Sequence, residues 1–312
     1  MAELFKREKK HKGCFITIVV LIGIVCAVIA LLVLAFFTFR YEAEQGDDEA
    51  QACLSMIYDH GWGVPKNGEK ALEWCRKSAE QGNFRSQAFL GLWYLEGKYV
   101  QKDEKEAIKW LTMSAEQGYL NAQIGLGLFY RFDQSDHQNL EESVKWFRKA
   151  AEQGNANAQF YVGYAYRNGE GVTQDYAEAV KWFNKSAEQG HAKAQRYLGL
   201  CYERGQGVAQ DYDIALQWYR KAAKQGNASA QNKIGFYYCN GWGVPQDYKE
   251  AAKWFRKAAE QGNKDGQYNL GRCYEEGEGV EKDSVEALKW FRMSAEQGDE
   301  DAKEAVERLS KN

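Results

Sequence analysis

Two apolar patterns follow each other along most of the chain, and residues 155–190 show both. Ala158, Val162 and Tyr166 are four residues apart, so they share one face of a first predicted helix, helix A. A second stripe of apolar and small residues, at spacings i, i+3, i+4, i+7 and i+8, predicts helix B: Ala179, Trp182, Phe183, Ser186 and Ala187. The segment therefore predicts a hairpin of two amphipathic helices.

Polar residues and glycines mark the ends of these helices. Asp175 is a natural N-cap for helix B, and Glu178 three residues later would complete a capping box. Gly190 closes helix B, and Asn155 is placed to cap helix A. Within helix A, Gly163 is predicted to lie where a neighbouring helix comes close, since glycine has no β-carbon to block the approach.

The hairpin repeats every 36 residues. The sequence Ala-Glu-Gln-Gly, or a near copy, ends at Gly46, Gly82, Gly118, Gly154, Gly190, Gly226, Gly262 and Gly298. Seven repeats therefore occupy residues 47–298, and residues 299–312 have the apolar spacing of one final capping helix. One tryptophan recurs in helix B and is predicted to be a packing residue: Trp74, Trp110, Trp146, Trp182, Trp218, Trp254 and Trp290.

The third repeat departs from the pattern in the loop between its two helices. It carries Asp133, Gln134, Ser135 and Asp136 where most of the other repeats carry Gly-x-Gly-Val. The loop keeps its length, so both helices should form. Its backbone, without the glycines that favour positive φ, is expected to differ.

The start of the chain has the pattern of a membrane anchor. Residues 14–39 contain no charge over 26 positions, about 39 Å of helix against the roughly 30 Å that a membrane core requires. A cleaved signal peptide is the competing interpretation, but its apolar region is usually shorter. We expect an uncleaved transmembrane signal-anchor helix that runs without a linker to about residue 45, where Ala43-Glu-Gln-Gly46 repeats the end of a helix B.

The charges on either side of this segment predict its orientation. Residues 1–13 hold five basic and two acidic side chains, whereas the rest of the chain holds 36 basic and 42 acidic. The positive-inside rule makes residues 1–13 a cytoplasmic tail and places the repeats outside the cytoplasm. A bacterial inner membrane, with the repeats in the periplasm, is the expected setting. An acidic repeat region argues against nucleic acid as the partner.

The repeat resembles the Sel-1-like repeat family. The resemblance is clearest in the fifth repeat, at Leu198-Gly199, Tyr202, Gly205-Gln206-Gly207-Val208 and Trp218-Tyr219, and it covers about residues 43–310. It implies an all-α fold, a right-handed α/α superhelical solenoid related to tetratricopeptide arrays. It also implies an adaptor role, because family members commonly assemble membrane, secretory or signalling complexes.

The resemblance raises an enzymatic alternative, because some family members carry a β-lactamase label. No Ser-x-x-Lys, Ser-Asp-Asn or Lys-Thr-Gly occurs in the chain, which disfavours a β-lactamase-like hydrolase. No zinc-binding motif is present either, and we predict no enzyme activity, no cofactor, no metal site and no small-molecule substrate. Five cysteines lie beyond the anchor, and we favour reduced thiols over a disulfide framework: Cys53, Cys75, Cys201, Cys239 and Cys273.

A protein or peptide partner is predicted to bind in the concave groove of the solenoid. Residues two positions before or after the Val162 position in helix A point about 200° away from the repeating core. The candidates are Met56, Leu92, Ile124, Leu128, Phe160, Tyr164, Leu200 and Phe236. Burial against neighbouring helices is the alternative for this stripe. We therefore expect a membrane-anchored scaffold or, alternatively, a regulatory subunit of a membrane complex held through its transmembrane helix.

Overall fold

The computed structural model describes residue 34 and residues 36–132 and 139–311, and within these ranges the chain is helical without strands. Residues 36–44 form a short helical stretch that precedes the repeats. The following helices are α1 Asp48–His60, α2 Gly68–Glu80, α3 Phe84–Glu96, α4 Glu104–Glu116, α5 Leu120–Phe132, α6 Leu140–Glu152, α7 Ala156–Asn168, α8 Tyr176–Glu188, α9 Ala192–Arg204, α10 Tyr212–Lys224, α11 Ala228–Asn240, α12 Tyr248–Glu260, α13 Lys264–Glu276, α14 Ser284–Glu296 and α15 Glu300–Ser310. From α1 to α14 these alternate as helices A and B, and α15 is the predicted final helix.

Several sequence predictions fall on residues that lie outside these ranges. They are the basic tail at residues 1–13, most of the transmembrane helix at residues 14–39, and the divergent loop at residues 133–138. In the part of the chain that the structure describes, no helix combines the length and the apolar character needed to cross a membrane.

The chain divides into two compact units, one that ends at Leu126 and one that runs from Gly127 to Asn312. The first unit has a core around Leu54, Cys75 and Leu90. The second has a series of local cores, each formed where helices of adjacent repeats meet. Leu198 and Ile234, for example, are each completely buried in successive cores.

Residues 36–44 take the place of a helix B at the start of the first unit. Ala43 is buried, and its carbonyl oxygen accepts a hydrogen bond from Gln51 Nε2 at 3.1 Å. The Phe36 and Tyr58 rings are in edge contact at 6.0 Å, and Phe39 packs on the same core. The helix predicted to reach residue 45 is thus present over residues 36–44 and is packed on α1.

The predicted helix caps are confirmed, but the capping box is not. Asp175 Oδ1 accepts from Glu178 N at 3.0 Å, and Asn155 Oδ1 accepts from Ala158 N at 2.9 Å. A capping box would require Glu178 to bond the Asp175 amide, which instead donates to the Tyr166 carbonyl at 2.9 Å. The Glu178 carboxylate accepts from Lys181 Nζ. Each helix B therefore begins with its cap residue tied by the backbone to the preceding helix A.

The close approach predicted at Gly163 is confirmed. A β-carbon at this position would lie 2.8 Å from Cδ1 of Phe183, closer than real carbon atoms come. Phe183 is completely buried, as are Phe147, Tyr219 and Phe291 at the same position of other helices B. The residue that fills the core of each hairpin is thus the one after the repeating tryptophan.

The repeating tryptophans are packing residues, as predicted, but most of them are not fully buried. Trp146 and Trp290 are buried, whereas the other five are half-buried. Trp218 and Trp254 each pack against the core of the preceding hairpin, so they contribute to contacts between repeats. Their outer faces are covered by lysines, and Lys185 Nζ lies 4.2 Å from the Trp182 ring centroid. The five half-buried indoles therefore pack against the cores while one edge of each ring stays at the surface.

Two rows of glutamines connect the helices within each unit. Gln159 Nε2 donates to the Ala151 carbonyl of the preceding helix B at 3.1 Å. Its Oε1 accepts from Gln189 Nε2, which lies 30 residues later at the end of α8, at 2.7 Å. The same pair of bonds recurs at Gln87, Gln195, Gln231 and Gln267. The glutamine of Ala-Glu-Gln-Gly therefore has a structural role, since it pairs the amide oxygen of a buried glutamine in helix A.

Candidate protein-binding face

The eight predicted groove residues lie at two positions of helix A, and together they define what we call the helix A face. Three are exposed large apolar side chains: Leu92 is 39% exposed, Leu128 36% and Phe236 39%. Met56, Ile124 and Tyr164 are half-buried. Three hydrophobic side chains that remain open to solvent at equivalent positions are consistent with a contact surface.

The sequence predicts that Phe160 and Leu200 face the groove, but the structure corrects this prediction. Their side chains are only 6% and 8% exposed, respectively. The Phe160 ring lies 5.6 Å from Tyr197, 6.0 Å from Phe183 and 5.0 Å from His191. It is therefore part of an aromatic core. Leu200 occupies the position that Leu128, Tyr164 and Phe236 hold in other repeats, but there it is buried, so its burial depends on its neighbours rather than on its size. Neither residue is available as an exposed groove contact.

A cavity of about 410 Å³ opens beside Phe160 in the second unit. Its walls are aromatic, and the Tyr164 and Tyr197 rings meet edge to face at 5.5 Å. The lining residues are Arg131, Phe132, Phe160, Tyr161, Tyr164, Lys193, Arg196, Tyr197, Asn227 and Ser229. We call this space the tyrosine cavity. It brings Phe160 and Tyr164 together, but none of the other predicted groove residues.

The charges of the tyrosine cavity are positive. Arg131 pairs with Glu170 at 2.7 Å, and its guanidinium lies 5.0 Å from the Tyr164 ring centroid. The Arg196 guanidinium lies 4.1 Å from the Tyr197 ring centroid. Among the described residues, no carboxylate forms an ion pair with Arg196 or Lys193, and none of those that line the cavity is acidic.

A second cavity, of about 240 Å³, lies beside Phe236 and contains two thiols. Burial raises the pKa of Cys239 to about 11 and that of Cys273 to about 12. Both thiols are therefore protonated near neutral pH and are poor nucleophiles. Burial also raises the pKa of Cys75 to about 12 and that of Cys201 to about 11, while Cys53 is half-buried. Within the described ranges, no group of three His, Cys, Asp or Glu side chains could hold a metal ion.

His191 has a structural role at the edge of the aromatic core. Its Nδ1 accepts from Ala194 N at 3.2 Å, so the imidazole replaces the asparagine that caps other helices A. Burial, followed by the charge of Lys193, lowers its pKa below the ordinary value. The neutral ring is the form that can accept this hydrogen bond. The side chain is thus committed to a helix cap rather than to proton transfer.

The sequence analysis missed the basic character of the tyrosine cavity. Arg196 occupies the Phe160 position of the next repeat, where it interrupts the apolar stripe. Arg131, Arg196 and Tyr164 come from three different helices A, so only the packing of those helices brings them together. The one available signal was the local excess of tyrosine between residues 161 and 197.

Paired helices A and B that repeat every 36 residues, tied by the same hydrogen bonds, define a helical repeat protein of the solenoid class. The Sel1 repeat family profile matches seven consecutive segments: residues 48–83, 85–119, 120–155, 156–191, 192–227, 228–263 and 264–299. The chain belongs to the Sel1 repeat family. Sel1 repeat and tetratricopeptide-like solenoids are generally non-catalytic interaction modules.

Two solved structures are similar over most of the chain. One is c5321, a protective antigen of uropathogenic Escherichia coli strains with this repeat fold, with 39% identity and a TM-score of 0.76. The alignment covers 88% of this chain and 59% of that antigen's chain, so the present sequence spans less than two thirds of it. The other is a Sel1 repeat protein from Oxalobacter formigenes, with 36% identity, a TM-score of 0.71 and coverage of 88% and 79%. A comparison with curated proteins gave no match.

Proposed function

We propose that this chain is a membrane-anchored scaffold that binds a protein or peptide partner on the helix A face. Sel1 repeat proteins typically mediate protein–protein interactions. The observation that supports this face in particular is the exposure of Leu92, Leu128 and Phe236 at one position of the repeat. An exposed apolar side chain at a recurring position is better explained by a partner than by the fold, which gains little from it.

The anchor part of the proposal rests on the apolar segment at residues 14–39 and on the helix over residues 36–44. That helix packs on α1 through Phe36, Phe39 and Ala43, so the repeats would begin directly at the membrane surface. With the basic tail in the cytoplasm, residues 41–312 would lie outside it. Protease added to spheroplasts should digest the repeats. Digestion only after the membrane has been opened would contradict this orientation.

Site-specific photo-crosslinking in the native membrane tests the binding face. A photoreactive phenylalanine analogue is placed at Leu92, Leu128 or Phe236, and as a control at Lys181 on the outer side of α8, where the lysine side chain is 66% exposed. We expect a discrete adduct from Leu128 and Phe236 in the second unit and from Leu92 in the first, because each is an exposed apolar side chain on the helix A face. The Lys181 position should give none. Adducts from Lys181 alone would place the partner on helix B and refute the proposal.

A further inference from the structure

We propose that the tyrosine cavity binds an acidic peptide segment, with Asp or Glu side chains at Arg196 and Lys193 and an apolar side chain against the tyrosines. This inference rests on the proposed function, because it names the chemistry of the partner at one place on the helix A face. It concerns the second unit alone, from Arg131 to Ser229.

The first argument is an excess of positive charge that the fold leaves without counterions. Three guanidinium groups lie beside the Tyr164 and Tyr197 rings, those of Arg131, Arg167 and Arg196. Arg131 is paired with Glu170, whereas Lys193 and Arg196, which line the cavity, form no ion pair with any described residue. Among the described residues, the Arg167 guanidinium donates to two neutral side chains, those of Asn168 and Gln206.

The second argument is the arrangement of two guanidinium groups around one ring. The Arg167 guanidinium lies 5.5 Å and the Arg196 guanidinium 4.1 Å from the Tyr197 centroid. Like charges that share a partly buried ring repel each other, and an anion between or beside them relieves that repulsion. A carboxylate is the group that planar arginine donors bind best.

The third argument is the mixture of cations with aromatic walls in a space of about 410 Å³. That volume holds a few side chains rather than a whole domain, which fits a peptide segment. Phe132 and the half-buried Tyr161 offer apolar surface beside the charges, so a peptide with an acidic residue next to an aromatic or leucine residue would contact both the cations and the apolar wall. The repeats carry a net negative charge, but at 0.1 M salt charges are screened beyond about 10 Å, and the local cations dominate.

Selection from a random dodecapeptide library displayed on phage, on the full-length chain purified in detergent, tests this inference. The peptides are joined to the coat protein through their C-termini, so that only side-chain carboxylates are presented. We expect the wild-type chain to enrich peptides with Asp or Glu next to an aromatic or leucine residue. The double variant Lys193→Gln/Arg196→Gln should lose the acidic preference. Lys181→Gln, which removes a charge from the outer side of α8, should keep it.

Fluorescence anisotropy of one enriched peptide then gives affinities. Its Asn/Gln analogue should bind the wild type at least about ten-fold more weakly, and the acidic peptide should lose affinity as NaCl rises from about 50 to 500 mM. Arg196→Lys should retain most of the affinity, whereas Arg196→Gln should not, because only the first keeps the charge. Thermal melts of the same variants separate loss of binding from loss of fold.

The possible outcomes separate this inference from the function on which it rests. Enrichment of neutral or basic peptides, or acidic enrichment that survives in the double variant, would overturn the inference. If Phe236→Asp nevertheless abolished that binding, the helix A face would remain the binding surface. No enrichment at all would overturn the inference, while the proposed function would still be decided by the cross-linking experiment. Displacement of the acidic peptide by a dodecathymidylate at lower concentration than by unlabelled peptide would assign the cavity to nucleic acid, and the inference would fail.

Discussion

At the scale of single residues, the hairpin depends on one pair, the glycine of helix A and the aromatic residue of helix B. Gly163 lets α7 and α8 approach until the Phe183 ring fills the space where a β-carbon would be. Phe183 is completely buried, whereas its neighbour Trp182 is half-buried and covered by Lys185. The close approach at Gly163 was predicted correctly, because a residue without a side chain inside a helix allows another helix to come near. The packing role of the tryptophan was also predicted, but the size of the residue does not reveal which edge of its ring stays at the surface.

The difference in burial between Phe183 and Trp182 predicts which alanine variant is the less stable. Phe183→Ala should lower the free energy of unfolding by about 3–5 kcal/mol, the range for a buried aromatic residue that leaves a cavity. Trp182→Ala should cost at least about 1 kcal/mol less, because part of the indole is already exposed and removing it leaves no closed cavity. Denaturant melts of the two variants give the comparison. Equal losses would show that the indole is a core residue after all.

Titration of His191 supplies a second test at this scale. Because its pKa is lowered in the folded chain, the unfolded chain binds the proton more readily. The stabilising contribution of the neutral cap is thus complete above the ordinary histidine pKa near 6.5 and is lost as the pH falls below it. His191→Asn, which restores the cap used at Asn155, should reduce the loss of melting temperature between pH 7.5 and 5.5. An unchanged pH dependence would show that protonation of His191 does not affect the stability of the fold.

At the scale of elements, the helix over residues 36–44 completes the first repeat. Its Ala43 carbonyl accepts the Gln51 amide just as Ala79 accepts Gln87 and Ala115 accepts Gln123. The first hairpin is therefore preceded by a helix that packs on it in the same way as a helix B packs on each later hairpin. Sequence reasoning anticipated this helix from Ala43-Glu-Gln-Gly46. It did not anticipate the glutamine bonds, because their partners are 30 residues apart and nothing local marks a side chain as a hydrogen-bond donor to another repeat.

Removal of this helix should destabilise the first unit. A chain that begins at residue 47 exposes the buried face of α1, including Leu54 and Tyr58, and leaves Gln51 without its backbone acceptor. We expect hydrogen exchange in α1 and α2 to accelerate by at least about ten-fold relative to the full-length chain, while exchange in α13 and α14 stays unchanged. Equal protection of α1 and α2 in both chains would mean that residues 36–44 are dispensable to the repeats.

At the scale of the whole molecule, the family is evident from the sequence because the 36-residue period persists without insertion from Gly46 to Gly298. The binding face is less accessible to sequence reasoning. Leu128 and Phe236 are exposed as predicted, but Phe160 and Leu200 are not, although they occupy the same two helix positions. The exposure of a side chain at these positions depends on how closely adjacent helices A pack and on the size of the neighbouring side chains. The periodic pattern of the sequence gives no information about either.

The measurement that tests the central claim most directly compares stability with binding for Leu128→Asp and Phe236→Asp in the full-length chain. Melting temperatures and the affinity for the partner recovered by cross-linking are measured together, with Lys181→Asp as the control. Because both apolar side chains are more than a third exposed, we predict melting temperatures within about 3 °C of the wild type. Affinity should fall at least about ten-fold for both, since the introduced charge must be desolvated in the interface, and it should not change for the control. Folded Leu128→Asp and Phe236→Asp chains that bind the partner as tightly as the wild type would contradict the account.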